Sequence, residues 1–239
     1  MIINGLKINY KIIGEGRPFL ILHGWGSNFE KWQKVGELLV EKNLKVIIPD
    51  LPGFGESQKP TIAWNLDDYC NFVEEFVKIL NLDKFFLLGH SFGGALAVKY
   101  SLKSPEKIAK LFLVGAACIR RKTFKKRFFY ALSKIFPSSL FLRKFFYKFI
   151  IKSDYLSVEG VMKETYLKII KEDLLDNLPQ VQVSTVIIWG GKDDVIKLKD
   201  GQIINQKIKN SKLTVIPKGN HDLEQKIPEI LTEKILENL

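Results

Sequence analysis

The stretch from Phe85 to Leu102 constrains this chain more than any other, because it sets a nucleophile in a geometry that exposes it. Four apolar residues, Phe85 to Leu88, run into Gly89-His90-Ser91-Phe92-Gly93-Gly94, and a small-residue helix, Gly94 to Leu102, is expected to follow. An unbroken apolar run reads as a strand buried on both faces, and so as part of a parallel sheet. The turn must be sharp enough to lift the Ser91 hydroxyl above that sheet. Gly89 and Gly93 stand two residues either side, where side chains would collide. Gly-x-Ser-x-Gly in this setting is a nucleophile elbow.

A serine hydroxyl is a weak nucleophile at neutral pH, so the elbow needs a base and an acid that orients the base. The chain has only three histidines. His23 follows the apolar run Phe19 to Leu22, and its simplest role is to hold a loop by hydrogen bonding. His90 lies inside the elbow. His221 follows the apolar strand Leu213 to Ile216, in the loop Pro217-Lys218-Gly219-Asn220-His221-Asp222, which can aim a ring across the top of a sheet. An acid between serine and histidine would complete the order Ser, Asp, His. The run Thr185 to Trp189, followed by Gly190-Gly191-Lys192-Asp193-Asp194, offers two candidates at the end of another buried strand.

Five segments in one order, each after an expected strand, resemble the α/β-hydrolase fold in its compact serine-esterase branch. They are His23-Gly24-Trp25-Gly26, Asp50-Leu51-Pro52-Gly53-Phe54-Gly55-Glu56-Ser57, the elbow, Trp189-Gly190-Gly191-Lys192-Asp193, and His221. The resemblance implies a mostly parallel, doubly wound sheet with a small helical lid insert. It implies Ser91, His221 and Asp193 as a catalytic triad, through the family pattern Trp-Gly-x-x-Asp, with Asp194 as the near alternative. It also implies that the backbone N–H groups of Trp25 and Phe92 form the oxyanion hole. Some relatives carry the acid after the next strand, here Leu111 to Val114, but Gly115-Ala116-Ala117 supplies no carboxylate. Relatives that cut epoxides or carbon–halogen bonds place an aspartate at the elbow, so Ser91 argues against both reactions. Asp50 precedes the nucleophile and is expected to cap turn amides.

Composition matters most after Ala117. Cys118 to Ser153 carries eleven Lys or Arg and no Asp or Glu, and the whole chain has a net charge of +11. All of that excess lies in this insert. Its apolar residues follow helical spacing on both sides of Pro137-Ser138-Ser139, which predicts two basic amphipathic helices. The expected layout is a hydrolase core over 1–118, a basic helical lid over 119–176 and the rest of the core over 177–239.

The function expected is hydrolysis of a small-molecule carboxylic ester through an acyl-enzyme, with no metal or organic cofactor. The basic insert admits an acidic partner or an anionic membrane surface. Two of the shared segments resemble the bacterial methyl esterases that act on a pimeloyl group borne by an acidic carrier protein. No nucleic-acid motif accompanies the charge. A non-catalytic binding module is the competing class, since fold alone does not fix function. Cys70 and Cys118 form no metal or disulfide pattern and read as buried free thiols, which fits a reducing compartment. The N-terminal residues turn like a β-hairpin without the features of a secretory signal, and no window offers the roughly 18 apolar residues of a membrane span. A soluble cytoplasmic protein is expected.

Overall fold

A computed structural model describes residues 1–120 and 159–239. The two helices expected around Pro137-Ser138-Ser139 lie outside the described residues. The strands are β1 (Ile2–Ile3), β2 (Leu6–Lys7), β3 (Tyr10–Ile13), β4 (Arg17–Leu22), β5 (Leu44–Pro49), β6 (Phe85–His90), β7 (Ile108–Val114), β8 (Thr185–Gly190) and β9 (Ser211–Ile216). The α-helices are α1 (Gln33–Val40), α2 (Leu66–Ile79), α3 (Phe92–Lys103), α4 (Gly160–Ile169), α5 (Leu198–Lys207), α6 (Leu223–Lys226) and α7 (Pro228–Leu236).

Seven strands form one sheet in the order β3-β5-β4-β6-β7-β8-β9. β3 runs antiparallel to β5, and the pairs from β5 through β9 are parallel. Apolar runs become strands here because both faces are covered. Leu20, Leu22, Leu87, Leu113, Ile187 and Trp189 pack with Phe72 of α2, Leu96 of α3 and Ile204 of α5. The alternate residues Phe19, Ile21, Leu88, Phe112 and Ile188 pack with Val35 and Leu39 of α1 and Leu231 and Ile235 of α7. Each such side chain contributes roughly 1.5–3 kcal/mol on burial. Two layers of helices around a parallel sheet leave the carboxyl ends of the strands free to carry loops, and those ends hold the site.

Three boundaries differ from expectation for reasons outside local sequence. The pattern over Lys7 to Ile13 predicts one strand, but it is divided, because Asn9 turns its N–H to Ser57 Oγ (2.9 Å) and its side chain to Asp50 (2.8 Å). The amphipathic spacing from about Glu30 to Lys42 predicts one helix, but it begins as a 3₁₀ turn, Glu30–Trp32, before α1. The short α6 directly after His221 was not foreseen.

The segment after residue 158 returns onto the core at α4. Thr165 Oγ1 accepts from the Trp64 N–H (3.0 Å), and the Leu174 N–H donates to the Cys118 carbonyl (2.9 Å). Glu172 accepts the Leu66 N–H at the start of α2 (2.8 Å) and pairs with Lys99 (3.0 Å). Arg120 donates to the Glu172 and Ile169 carbonyls (3.0 and 3.3 Å), satisfying groups that the end of α4 leaves open. Cys70 and Cys118 are free and buried, and burial pushes their thiols up to about 11 and about 12. Among the described residues, no helix is long and apolar enough to cross a membrane.

Candidate active site

The backbone of Ser91 takes φ 52° and ψ −115°, a conformation that L-residues adopt only under compulsion. The compulsion comes from close packing at the elbow. A side chain at Gly89 would meet the Gly93 carbonyl, and one at Gly93 would meet the carbonyl of Leu22 on β4. The Ser91 N–H donates to the Val114 carbonyl (3.0 Å), and the Ser91 carbonyl accepts from Ala117 (2.8 Å). The serine is thereby pinned between β6 and the loop after β7.

That loop also carries Gly115, which has φ 48°. A Cβ there would lie 3.3 Å from His221 Nδ1 and 3.5 Å from Asp193 Oδ2. The structure therefore places all three residues around residues 114–117. His221 Nδ1 stands 2.8 Å from Asp193 Oδ2, and because a carboxylate accepts, Nδ1 carries the proton and Nε2 keeps its lone pair. Asp193 Oδ1 accepts the N–H groups of Val195 (2.9 Å) and Ile196 (2.8 Å), which fixes the carboxylate from its other side. Asp193 is 5% exposed, whereas Asp194 lies in the exposed part of the turn. Burial disfavours a charge on the His221 ring, but the hydrogen bond and charge of Asp193, with Asp222 and Glu224, outweigh it and raise its proton affinity above the ordinary value.

The loops after β4 and β5 close the other side. His23 Nδ1 donates to the Gly24 carbonyl (2.8 Å) and its Nε2 accepts the Leu51 N–H (2.9 Å), so His23 ties the two loops together. Asp50 accepts from Phe29 (2.7 Å), Glu56 (3.0 Å) and Asn9, the turn-holding role expected of it. The rings of Trp25 and Phe92 lie 5.6 Å apart, which sets these two residues side by side. Phe92 opens α3, where the first amides have no partner within the helix. Trp25 also packs on Phe54 (4.8 Å) and on Tyr166 of α4 (5.1 Å). Sequence reasoning missed Tyr166, Gly115 and the buried Glu224, because nothing local distinguishes them before the chain is folded. Two surface hollows, of about 450 and 430 Å³, are lined by none of these residues. No group of three or more His, Cys, Asp or Glu among the described residues could hold a metal ion.

A model of the alpha/beta hydrolase fold matches residues 17–140. The chain belongs to the alpha/beta-hydrolase family. Within this family it is 28% identical over 228 residues to Lipase 1 of Psychrobacter immobilis, covering 86% of this chain and 71% of that one. It is 28% identical over 244 residues to a 2-hydroxy-6-oxononadienedioate/2-hydroxy-6-oxononatrienedioate hydrolase of Pseudomonas putida, covering 90% and 86%. Other curated relatives are longer, and the chain spans only 35% and 39% of the length of two of them. Among solved structures, an esterase of Exiguobacterium antarcticum superposes with a TM-score of 0.78 at 26% identity, over 99% of this chain and 96% of the esterase.

Proposed function

We propose that this hydrolase-family protein cleaves small carboxylic esters with Ser91 as nucleophile, His221 as base and Asp193 as the residue that orients the base. The observation that carries this reading is the buried 2.8 Å contact between His221 and Asp193, placed against the loop that pins the strained Ser91. Ser91 Oγ attacks the ester carbonyl carbon while its proton passes to His221 Nε2. The oxyanion formed is held by the N–H groups of Trp25 and Phe92, which oppose charge where it develops. Collapse breaks the bond to the alkoxy group, and that oxygen takes the proton from Nε2. Water then adds to the acyl-enzyme by the same route, returns the proton to Ser91 and releases the acid. Trp25, Phe54 and Tyr166 supply an aromatic wall on the Trp25 side of the site.

The test is hydrolysis of p-nitrophenyl esters from acetate to palmitate, with Ser91→Ala alongside. Turnover in the parent and its loss in the variant, with the fold retained by circular dichroism, is the expected result. Activity persisting in Ser91→Ala near the parent rate would refute the nucleophile assignment. The Pseudomonas putida relative, matched over 90% of this chain, favours one second reading, carbon–carbon bond hydrolysis of a 2-hydroxy-6-oxo-dienoate by the same three residues. Such a substrate belongs in the same panel, and a higher kcat/KM on it than on every ester would select that reading.

A further inference from the structure

Behind His221 lies a second buried acid that the proposed mechanism does not use. Glu224 is 2% exposed, three residues after His221 in the first turn of α6. One oxygen, Oε1, accepts from Gln225 (3.2 Å). The other, Oε2, has no hydrogen-bond donor among the described residues and lies 4.0 Å from His90 Nε2. That nitrogen donates to the main-chain carbonyl of His221 (3.1 Å), and the two imidazole rings are 4.9 Å apart. Burying a carboxyl with one oxygen unsatisfied is costly. Such a group invites a reason beyond packing.

We propose that Glu224 is a positioning residue of this site, whose negative charge, held with His90 behind the ring of His221, supports the protonated form of the base. The inference rests on the reading of His221 as that base. His90 is itself held neutral, with burial and the charge of His221 pushing it down to about 3. It therefore acts as a fixed neutral donor to the main chain of His221, with the carboxyl of Glu224 4.0 Å from its Nε2 and Asp193 on the far edge of the His221 ring. Burial raises the proton affinity of Glu224, so its charge is lost in the acid range and the support for His221 weakens with it.

The other charged groups on the elements around Glu224 point outward. Asp222 and Lys226 beside it, Lys31 on the 3₁₀ turn, Lys34 and Glu37 on α1, and Glu229 and Glu233 on α7 are exposed, and Lys234 pairs with Glu233 and Glu237. Water screens these groups. Inside, Glu224 faces His90, which contacts His221, itself bonded to Asp193.

The chain's three histidines make a direct test practicable. His23 and His90 titrate at about 4 and about 3, so above pH 5 a histidine-labelled sample reports His221 by NMR. Glu224→Gln preserves shape and removes the charge. It should lower the His221 midpoint by about half a pH unit, a threefold change in proton affinity. A midpoint unchanged within experimental error, or moved upward, would overturn the proposal. If Glu224→Gln does not fold, Glu224→Leu takes its place, since an apolar side chain removes the charge and leaves no unsatisfied polar atom, and an unchanged His221 midpoint in it would equally overturn the proposal. The acid limb of kcat/KM for an ester should move down with the NMR midpoint, whereas a purely structural role would lower the plateau and leave the limb in place. Because the NMR midpoint needs no turnover, a shifted midpoint in a protein without esterase activity would refute the proposed function and leave this inference standing.

Discussion

His221 sits where two effects oppose each other: its ring is buried, which disfavours charge, yet Asp193 bonds one edge of it and raises its proton affinity. Only the unprotonated ring accepts a proton from Ser91, so the acid limb of kcat/KM is expected above the ordinary histidine value of 6.5. Asp193→Asn leaves the ring in the wrong tautomer and should lower kcat by about 10⁴-fold, with KM little changed. Asp194→Asn should stay within about threefold of the parent, since an exposed carboxylate contributes little. A steady-state comparison of the two variants decides between adjacent aspartates that the sequence alone leaves nearly equivalent. Ser91 and His221 were legible because a glycine-flanked serine after an apolar run, and a histidine in a loop after another, each imply a geometry. The proposal of Asp193 came through a family pattern, and the two aspartates differ in their surroundings. In this turn the first carboxylate points back to accept from Val195, Ile196 and His221, while the second faces out.

The elements were readable where burial alone decides them. β6 and β8 are apolar without interruption because helices cover both of their faces, and α2 shows its apolar stripe plainly. What escaped was decided by hydrogen bonds from distant residues: the break at Asn9, the 3₁₀ start before α1, and the attachment of α4. That attachment is concentrated at Glu172, which caps α2 and pairs with Lys99. Glu172→Ala is expected to lower unfolding stability by about 2 kcal/mol, because it leaves the Leu66 amide without its acceptor and Lys99 with Asp67 alone. Asn65→Ala, which removes a capping box built within α2 itself, should cost about 1 kcal/mol. Urea unfolding of both variants checks the order, and a larger loss for Asn65→Ala would show that the joint to α4 matters less than the local cap.

At the scale of the molecule, two neighbouring inner strands of the sheet, β4 and β6, end at histidines that burial keeps neutral. Burial lowers His23 to about 4 and His90 to about 3, against 6.5 for an exposed ring. A histidine with a depressed folded-state pKa binds its proton first in the unfolded chain, so its contribution is complete above pH 6.5 and declines as pH falls toward 4 and then 3. His221 and Glu224, both raised, pull the other way. His23→Asn isolates one share: the variant should be less stable at pH 7 yet lose less stability than the parent between about pH 6.5 and 4. Urea midpoints across that range test it, and parallel curves would contradict it. The overall architecture was legible because five ordered motifs each announce a strand end, whereas the region over the site depends on contacts between residues a hundred positions apart, such as Trp64 with Thr165. The order of the strands has a last consequence, for biosynthesis. The proposed nucleophile at the end of β6 is translated first, the proposed acid after β8 second and the proposed base after β9 last, although all three lie around a single loop. On that proposal a growing chain carries its serine long before anything can activate it, and hydrolysis has to wait until the final strand of the sheet has been laid down.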